Sequence, residues 1–531
     1  MCTTQQFDVR TVLFLAERNG LKTWAADIGN AHLEARTQER ACIKAGKAFG
    51  PLEGHLLVIQ AALCGLRSSG RRFGDPLANS LKQLVFFQSK AEPQIFMRGS
   101  KVGPHCECLC LHADDLSFAV DDPNELLKEL TEGPFHCKPK GTGPLEFHLG
   151  CGFGGDKDET LCLNPKQCVE KMLETFKDSF GELPQKRDSP SPPNDHPEMD
   201  VSELLEDDNV EKHLSLVGQL QWAVSLGRWD IQTAVMTMSS FRVAPRPGHL
   251  DELKHICGHL RKFPHQKIRF RTDPPDLTAF DNSKDHSWAV TACKEDPEVI
   301  PSDAPEELGE ELALTHCFDA NLMHDVVTER AATGCLHLLN KTPIHSHSKK
   351  QGSVETATFG AEFSAAGTCM EQVIDLRCTL RHLGVNPGKV SHTFGDNKAM
   401  VDCAKHPDAG INKRHTILSF HCVRSLAARG FLAMNHTVSG SNAVDTASEH
   451  WAHESAWSLI KPLFNHEGDT GELHMDDVKS DSSSSESGAL KCSHAEIQDK
   501  EMSKCHWSPQ CQDVTGLVGF CRETLWHCNC K

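Results

Sequence analysis

The stretch CLCLHADDLSFAV, residues 108–120, decides how this chain is read. Two short apolar runs flank a pair of aspartates, the pattern of a β-hairpin with Asp114 and Asp115 at its turn. Adjacent carboxylates on a rigid hairpin repel each other, a cost that a divalent cation removes. A solvated Asp-Asp turn would carry the same residues, so the neighbouring segments have to choose. Upstream, LKTWAADI (21–28) reads as a second strand that ends at Asp27, just before Gly29 and Asn30, where the chain turns. A strand-end aspartate beside a hairpin bearing two more is the carboxylate set of a phosphoryl-transfer site that uses two metal ions.

Further along, LTHCFDANLMHD (314–325) places Asp319 at a strand end, and ETATFGAEFSAA (355–366) places Glu362 on a helix running from Val354. HTFGDNKAMV (392–401) puts Asp396 at a strand-to-helix turn, and SGSNAVDTASEHW (439–451) puts Asp445 near the last helix. Taken singly, each would read as a surface acid. Between the two acidic sets, 213–226, 229–243 and 248–263 carry apolar residues at helical spacing. Lys254, Arg261, Lys262, Lys267, Arg269 and Arg271 make that neighbourhood the most basic one, as a phosphate backbone would require, although a solvated helix face looks the same.

The whole chain has 531 residues and a formal charge of −18, which at first sight argues against a nucleic-acid enzyme. The charge is concentrated: 188–211 holds nine acidic residues and 295–311 holds eight, neither has a Lys or Arg, and both contain prolines, so both read as linkers. No apolar run approaches bilayer length, and the five residues 12–16 are too few for a signal peptide. These features lead us to expect a soluble cytoplasmic or nuclear protein, with no membrane partner and no secretion. The 24 cysteines are scattered, as expected of reduced thiols. Tyrosine is absent altogether, far outside ordinary usage.

The segments WAADIGNAHLEA (24–35), GPLEGH (50–55), ALCGLRSSGRRF (62–73), KAEPQIFMR (90–98), HADDL and KGTGPLEFHLGCGF (140–153) together resemble the reverse transcriptase of copia-type LTR retrotransposons. LVGQLQWAVSLGRWDIQTAV (216–235) is similar to the helical region that follows it. LHLLNKTPI (336–344), SKKQGSVETAT (348–358), KRHTILSFHCVR (413–424) and NAVDTASEHW (442–451) resemble the ribonuclease H part of the same Pol polyproteins. The family's basic stretch before Trp24 has no counterpart here, and family tyrosine positions carry His32, Cys64, His112, Cys317 and Phe359, so the resemblance is to a degenerate or N-terminally truncated copy.

That resemblance implies an α+β multidomain fold: a reverse transcriptase palm with partial fingers (1–185), an acidic linker (186–211), a helical thumb or connection (212–280), a second linker (281–311) and a ribonuclease H-like mixed α/β domain (312–473). Residues 474–531, rich in Ser and Cys, read as a disordered tail, with zinc binding as the alternative. The implied activities are RNA-directed DNA polymerase and ribonuclease H. Asp27, Asp114 and Asp115 would hold two Mg²⁺ ions in one site, and Asp319, Glu362, Asp396 and Asp445 two in the other. His32 and Arg67 would meet substrate in the polymerase, and Lys413, Arg414 and His415 the hybrid in the nuclease. Partners would be an RNA template, a DNA primer, an RNA–DNA hybrid, dNTPs and other retroelement proteins. The competing reading is a catalytically silent relic that binds nucleic acid or protein.

Overall fold

The computed structural model describes residues 6–28, 37, 41–60, 69–112, 115–132, 139–156, 158–193, 195–280, 288, 298, 300–411, 416–430 and 432–464. Among the sites named above, His32, Arg67, Asp114, Lys413, Arg414 and His415 lie outside these residues, as does the tail 474–531.

Helix α1 (Gln6–Asn19) buries Val9, Val12, Leu13, Phe14 and Ala16 and stops at Gly20, whose φ of 65° lies in the left-handed region that glycine enters without strain. Strand β1 (Lys22–Ile28) follows. A small antiparallel ribbon, β2 (Cys42–Lys44) with β3 (Leu56–Val58), precedes helix α2 (Ser69–Gln83). Then come β4 (Phe87–Gln88), β5 (Ile95–Gly99), β6 (Cys106–His112), β7 (Asp115–Val120), helix α3 (Pro123–Glu132) and β8 (Pro139–Pro144). These strands form an antiparallel sheet in the order β4-β5-β6-β7-β1-β8. Strands β6 and β7 are apolar on both sides because both faces of the sheet are covered. Leu109, Leu111, Leu116 and Phe118 pack with Leu77 of α2 and Leu126 of α3, whereas Cys108, Cys110 and Ala119 join the cluster that contains α1.

A second sheet, order β12-β11-β10-β9, is built from β9 (Phe147–His148), β10 (Cys151–Gly155), β11 (Leu161–Asn164) and β12 (Ile268–Arg269). Between β11 and β12 lie α4 (Lys166–Phe180), α5 (Asp207–Ser225), α6 (Gln232–Met238) and α7 (Pro247–Lys262), packed through Val169, Leu220, Val235 and Leu253. The stretch expected as one helix over 229–243 is a short helix between two 3-10 turns, 229–231 and 239–241.

The third sheet, order β15-β14-β13-β16-β17, is mixed. Strands β13 (Leu314–Asp325), β14 (Arg330–Leu339) and β15 (Thr342–Val354) form an antiparallel meander. Helix α8 (Thr358–His382) crosses over to β16 (Ser391–Gly395), parallel to β13. Helices α9 (Lys398–Lys405) and α10 (Ile417–Ala428) lead to β17 (Leu432–His436), parallel to β16. Phe318, Phe363, Met370, Met400 and Val423 fill the space under these helices. Two short helices, α11 (Asp445–Ser448) and α12 (His453–Ile460), follow.

Two expectations are corrected here. Asp319 lies in the middle of β13, because pairing with β14 carries that strand on to Asp325 through an irregularity after Asn321. Helix α8 starts at Thr358, since Val354 still pairs with Arg330 at the end of β15.

One apolar cluster joins Val12 and Phe14 of α1, Leu226 and Trp229, Leu314 and Leu336 of the third sheet, Leu376 of α8 and Trp451. Arg10 reinforces it by donating to the carbonyl oxygens of Ile344 (2.7 Å) and Ser225 (2.9 Å). The acidic stretch 188–211 has little regular structure but is tied down by three α7 histidines. His249 Nε2 meets Pro197 O at 2.9 Å, His255 Nε2 meets Ser189 O at 3.1 Å, and His259 Nδ1 meets Asp188 O at 3.1 Å. The end of that stretch enters α5, where Asp207 and Asp208 favour the helix N-terminus. The basic neighbourhood is largely spent on the chain itself: Lys254 pairs with Asp251, Lys262 with Asp188, Lys267 with Asp156 and Arg269 with Asp158, and Arg261 donates to Pro184 O.

Candidate functional site

In the first sheet, β1 and β7 pair so that Asp27 stands directly opposite Asp115. Residues opposite each other in an antiparallel ladder have Cα atoms about 4.5–5.5 Å apart, so the two aspartates share one patch at the ends of these interior strands. Like charges in that register cost stability unless a cation or donor lies between them. On its other side Asp27 faces Lys140 of β8. Asp27 is exposed and Asp115 half-buried, at the end of the strands beside the hairpin tip. The tip itself, with Asp114, is outside the described residues.

The second set gathers at one end of the third sheet. Asp319 on β13 pairs with Gly334 of β14. The parallel pairing of β13 with β16 reaches Cys317 opposite Phe394, so Asp319 and Asp396 stand two residues beyond the same rung. The Asn397 side chain accepts the Met400 N–H at 3.0 Å, which starts α9 and ends the turn that presents Asp396. Glu362 comes from the second turn of α8. Asp319, Glu362 and Asp396 each offer an oxygen, and these oxygens lie within 4.8 Å of one another. Asp319 and Glu362 are only 8% and 4% exposed. Asp445 opens α11, and its carboxylate feels the charges of Asp319 and Asp396.

Burial and mutual repulsion set the electrostatics. Burial first, then Asp319 and Asp396, pushes the Glu362 carboxyl up to about 10. Burial first, then Asp319 and Asp396, raises Asp445 to about 8. Asp319 rises to about 6, chiefly through burial, although the Ser448 hydroxyl that donates to its Oδ2 works the other way. Glu362 Oε2 and Asp445 Oδ1 are buried without a protein hydrogen-bond partner. Orphaned oxygens in an all-carboxylate cage fit a hard divalent cation such as Mg²⁺.

The sequence reading missed three participants. Ser448 orients Asp319, and Glu449 raises Asp319 and Asp445 and is itself pushed up by burial and by Asp396. Both stand in SGSNAVDTASEHW, but an acid or hydroxyl four or fewer residues from Asp445 carries no distinguishing local signal. Gly334 is a third: a side chain there would come within 2.9–3.0 Å of the backbone of Ala447 and Ser448 and of Val444 O, so only glycine lets α11 lie this close to β14. No described helix is long and apolar enough to cross a membrane.

No family model matches the chain. It is 21% identical over 427 residues to the retrovirus-related Pol polyprotein from transposon TNT 1-94 of Nicotiana tabacum, covering 79% of this chain and 29% of that one. It is 20% identical over 446 residues to the corresponding polyprotein from transposon RE1 of Arabidopsis thaliana, covering 83% and 27%. A Ty5-1 transposon protein of Saccharomyces cerevisiae is 23% identical over 359 residues, 65% of this chain and 99% of its own length. The chain thus spans less than a third of the two plant polyproteins. Among solved structures it is similar to a foamy viral protease-reverse transcriptase in complex with double-stranded DNA, at 10% identity and TM-score 0.40, over 78% of this chain and 56% of that one. It is also similar to the RNase H1 of Halobacterium salinarum, at 14% identity and TM-score 0.20, over 28% and 98%.

Proposed function

We propose that this chain, a homologue of the retrovirus-related Pol polyproteins of copia-type transposons, hydrolyses the RNA strand of RNA–DNA hybrids in its 312–473 part and extends DNA primers in its 1–185 part. The observation that carries the reading is the convergence of Asp319, Glu362 and Asp396 within 4.8 Å; the charges of Asp319 and Asp396 also raise Asp445.

In the nuclease site Asp319, Glu362, Asp396 and Asp445 would hold Mg²⁺. When bound, the cations supply a hydroxide nucleophile and neutralise the charge that develops on the leaving 3′-oxygen. The chain's own residues fix the cage. Ser448 holds Asp319 in one orientation, and Glu362, protonated at neutral pH, would have to give up that proton to act as a ligand. Lys413, Arg414 and His415, just before α10, would meet the hybrid's backbone. In the polymerase site Asp27 and Asp115, paired across the ladder, would with Asp114 hold the ions that bind a dNTP beside the primer end, and His32 and Arg67 would contact the incoming nucleotide.

The test is Mg²⁺-dependent cleavage of an RNA–DNA hybrid by the purified chain, with Asp396→Asn alongside. Cleavage that disappears in the variant while hybrid binding persists supports the enzyme. Binding without cleavage in the wild type supports a silent relic. That second reading has its own observation behind it: positions where the family has tyrosine carry His32, Cys64, His112, Cys317 and Phe359.

A further inference from the structure

Helix α11 is four residues long, too short to hold its own shape, yet it carries Asp445. Part of its support comes from the third sheet: Asn442 Nδ2 donates to Phe318 O (3.3 Å), and Ser448 donates to Asp319. The rest comes from the helical layer, more than 200 residues away in sequence. Thr233 Oγ1, in the first turn of α6, donates to the backbone carbonyl of Thr446 at 2.9 Å, and the bond is buried. Trp451 Nε1 donates to the backbone carbonyl of Asp230 at 3.1 Å, also buried. These two bonds grip α11 at both ends, one residue after Asp445 and three residues after Ser448.

Their fixed end is rigid. Asp230 sits in the 3-10 turn ahead of α6 and receives Arg228 Nε at 2.9 Å and a second guanidinium nitrogen at 2.7 Å, and His259 Nε2 lies 3.0 Å from its Oδ2. Arg228 and His259 are 0% exposed and Asp230 is 1% exposed, so solvent cannot compete for these contacts. The ladder that brings Asp319 beside Asp396 involves only the third sheet, but Asp445 is placed by two bodies of structure at once.

We infer that Thr233 and Trp451 are positioning residues for Asp445, so the helical layer sets the fourth carboxylate of the cage and couples the nuclease site to the rest of the chain. The inference rests on the nuclease reading above.

The test titrates Mn²⁺ into the full chain by calorimetry and follows amide exchange of 444–449 in the metal-free protein. Losing one buried hydrogen bond that orients a ligand weakens Mn²⁺ about tenfold in Thr233→Val, and Thr233→Ser, which keeps the hydroxyl, restores the affinity. In an Asp445→Asn background Thr233→Val adds nothing, because the ligand it orients is gone. Trp451→Phe, which keeps the apolar ring, follows the same pattern. Exchange over 444–449 accelerates in Thr233→Val and Trp451→Phe. An equal loss of affinity in both backgrounds, or unchanged exchange, overturns the inference. A wild type that binds no Mn²⁺ removes the nuclease reading instead, and the exchange measurement then decides alone whether Thr233 holds α11.

Discussion

Glu362 shows what a single residue contributes. Its carboxyl is pushed up to about 10, first by burial and then by the charges of Asp319, Asp396 and Asp445, so part of what the metal-free cage stores is repulsion that a cation releases. Asp396→Asn removes one source of that repulsion. Without metal at pH 8, the variant should melt higher than the wild type by an amount worth about 1 kcal/mol, while hybrid cleavage is lost; differential scanning calorimetry and a cleavage assay check the two halves. A variant that melts lower would mean that Asp396 does not crowd the other carboxylates. At this scale the sequence was legible for the gathering of Asp319, Glu362 and Asp396, whose types and order the family resemblance supplied. It was silent on Ser448 and Thr233, because a hydroxyl that orients a carboxylate has the same local surroundings as one that does not.

At the scale of elements, the hairpin was legible because its two short apolar runs and turn residues are local, although Asp115, expected at the turn, is the first residue of β7 and pairs with His112. The start of α8 was misread because TFGAEFSAA has helical spacing that runs back into residues held in strand β15 by β14. The acidic stretch 188–211 read as a linker from charge and proline alone, whereas its backbone carbonyls are partners for His249, His255 and His259 on α7. Gly334 gives the sharpest element-scale prediction. An alanine there would press on the backbone of α11, not on a flexible side chain, so the helix has to move. Gly334→Ala should therefore reduce hybrid cleavage at least about tenfold while far-UV circular dichroism stays close to wild type, since the strand itself tolerates alanine. Full activity in Gly334→Ala would show that α11 has room to spare.

For the molecule as a whole, the shared cluster around α1, Trp229 and Trp451 binds regions the sequence presents as separate, and contacts of such long range leave no periodic trace. The fold also buries or half-buries many histidines. Burial lowers His148, His213, His255, His324 and His337 to about 4 and His450 to about 3. Each is neutral in the fold but protonated when unfolded below about pH 6.5, so its contribution is present above that value and lost as pH falls towards 4. The carboxylate cage has the opposite sign. Asp319, Asp445 and Glu362 hold protons in the fold up to about 6, 8 and 10, so their contribution is present at low pH and lost as pH rises through those values. Below pH 6.5 the six histidines outnumber the three carboxylates and stability climbs with pH; above it the histidines are silent and the carboxylates pull stability down. The metal-free chain should therefore have its highest melting temperature between about pH 6 and 7. Mg²⁺ should raise the midpoint at pH 8 but hardly at pH 5, where the cage keeps its protons. Circular dichroism melts from pH 4 to 9, with and without Mg²⁺, measure both limbs. A metal-free midpoint that keeps rising to pH 9 would mean that these carboxylates do not confront one another in the folded chain.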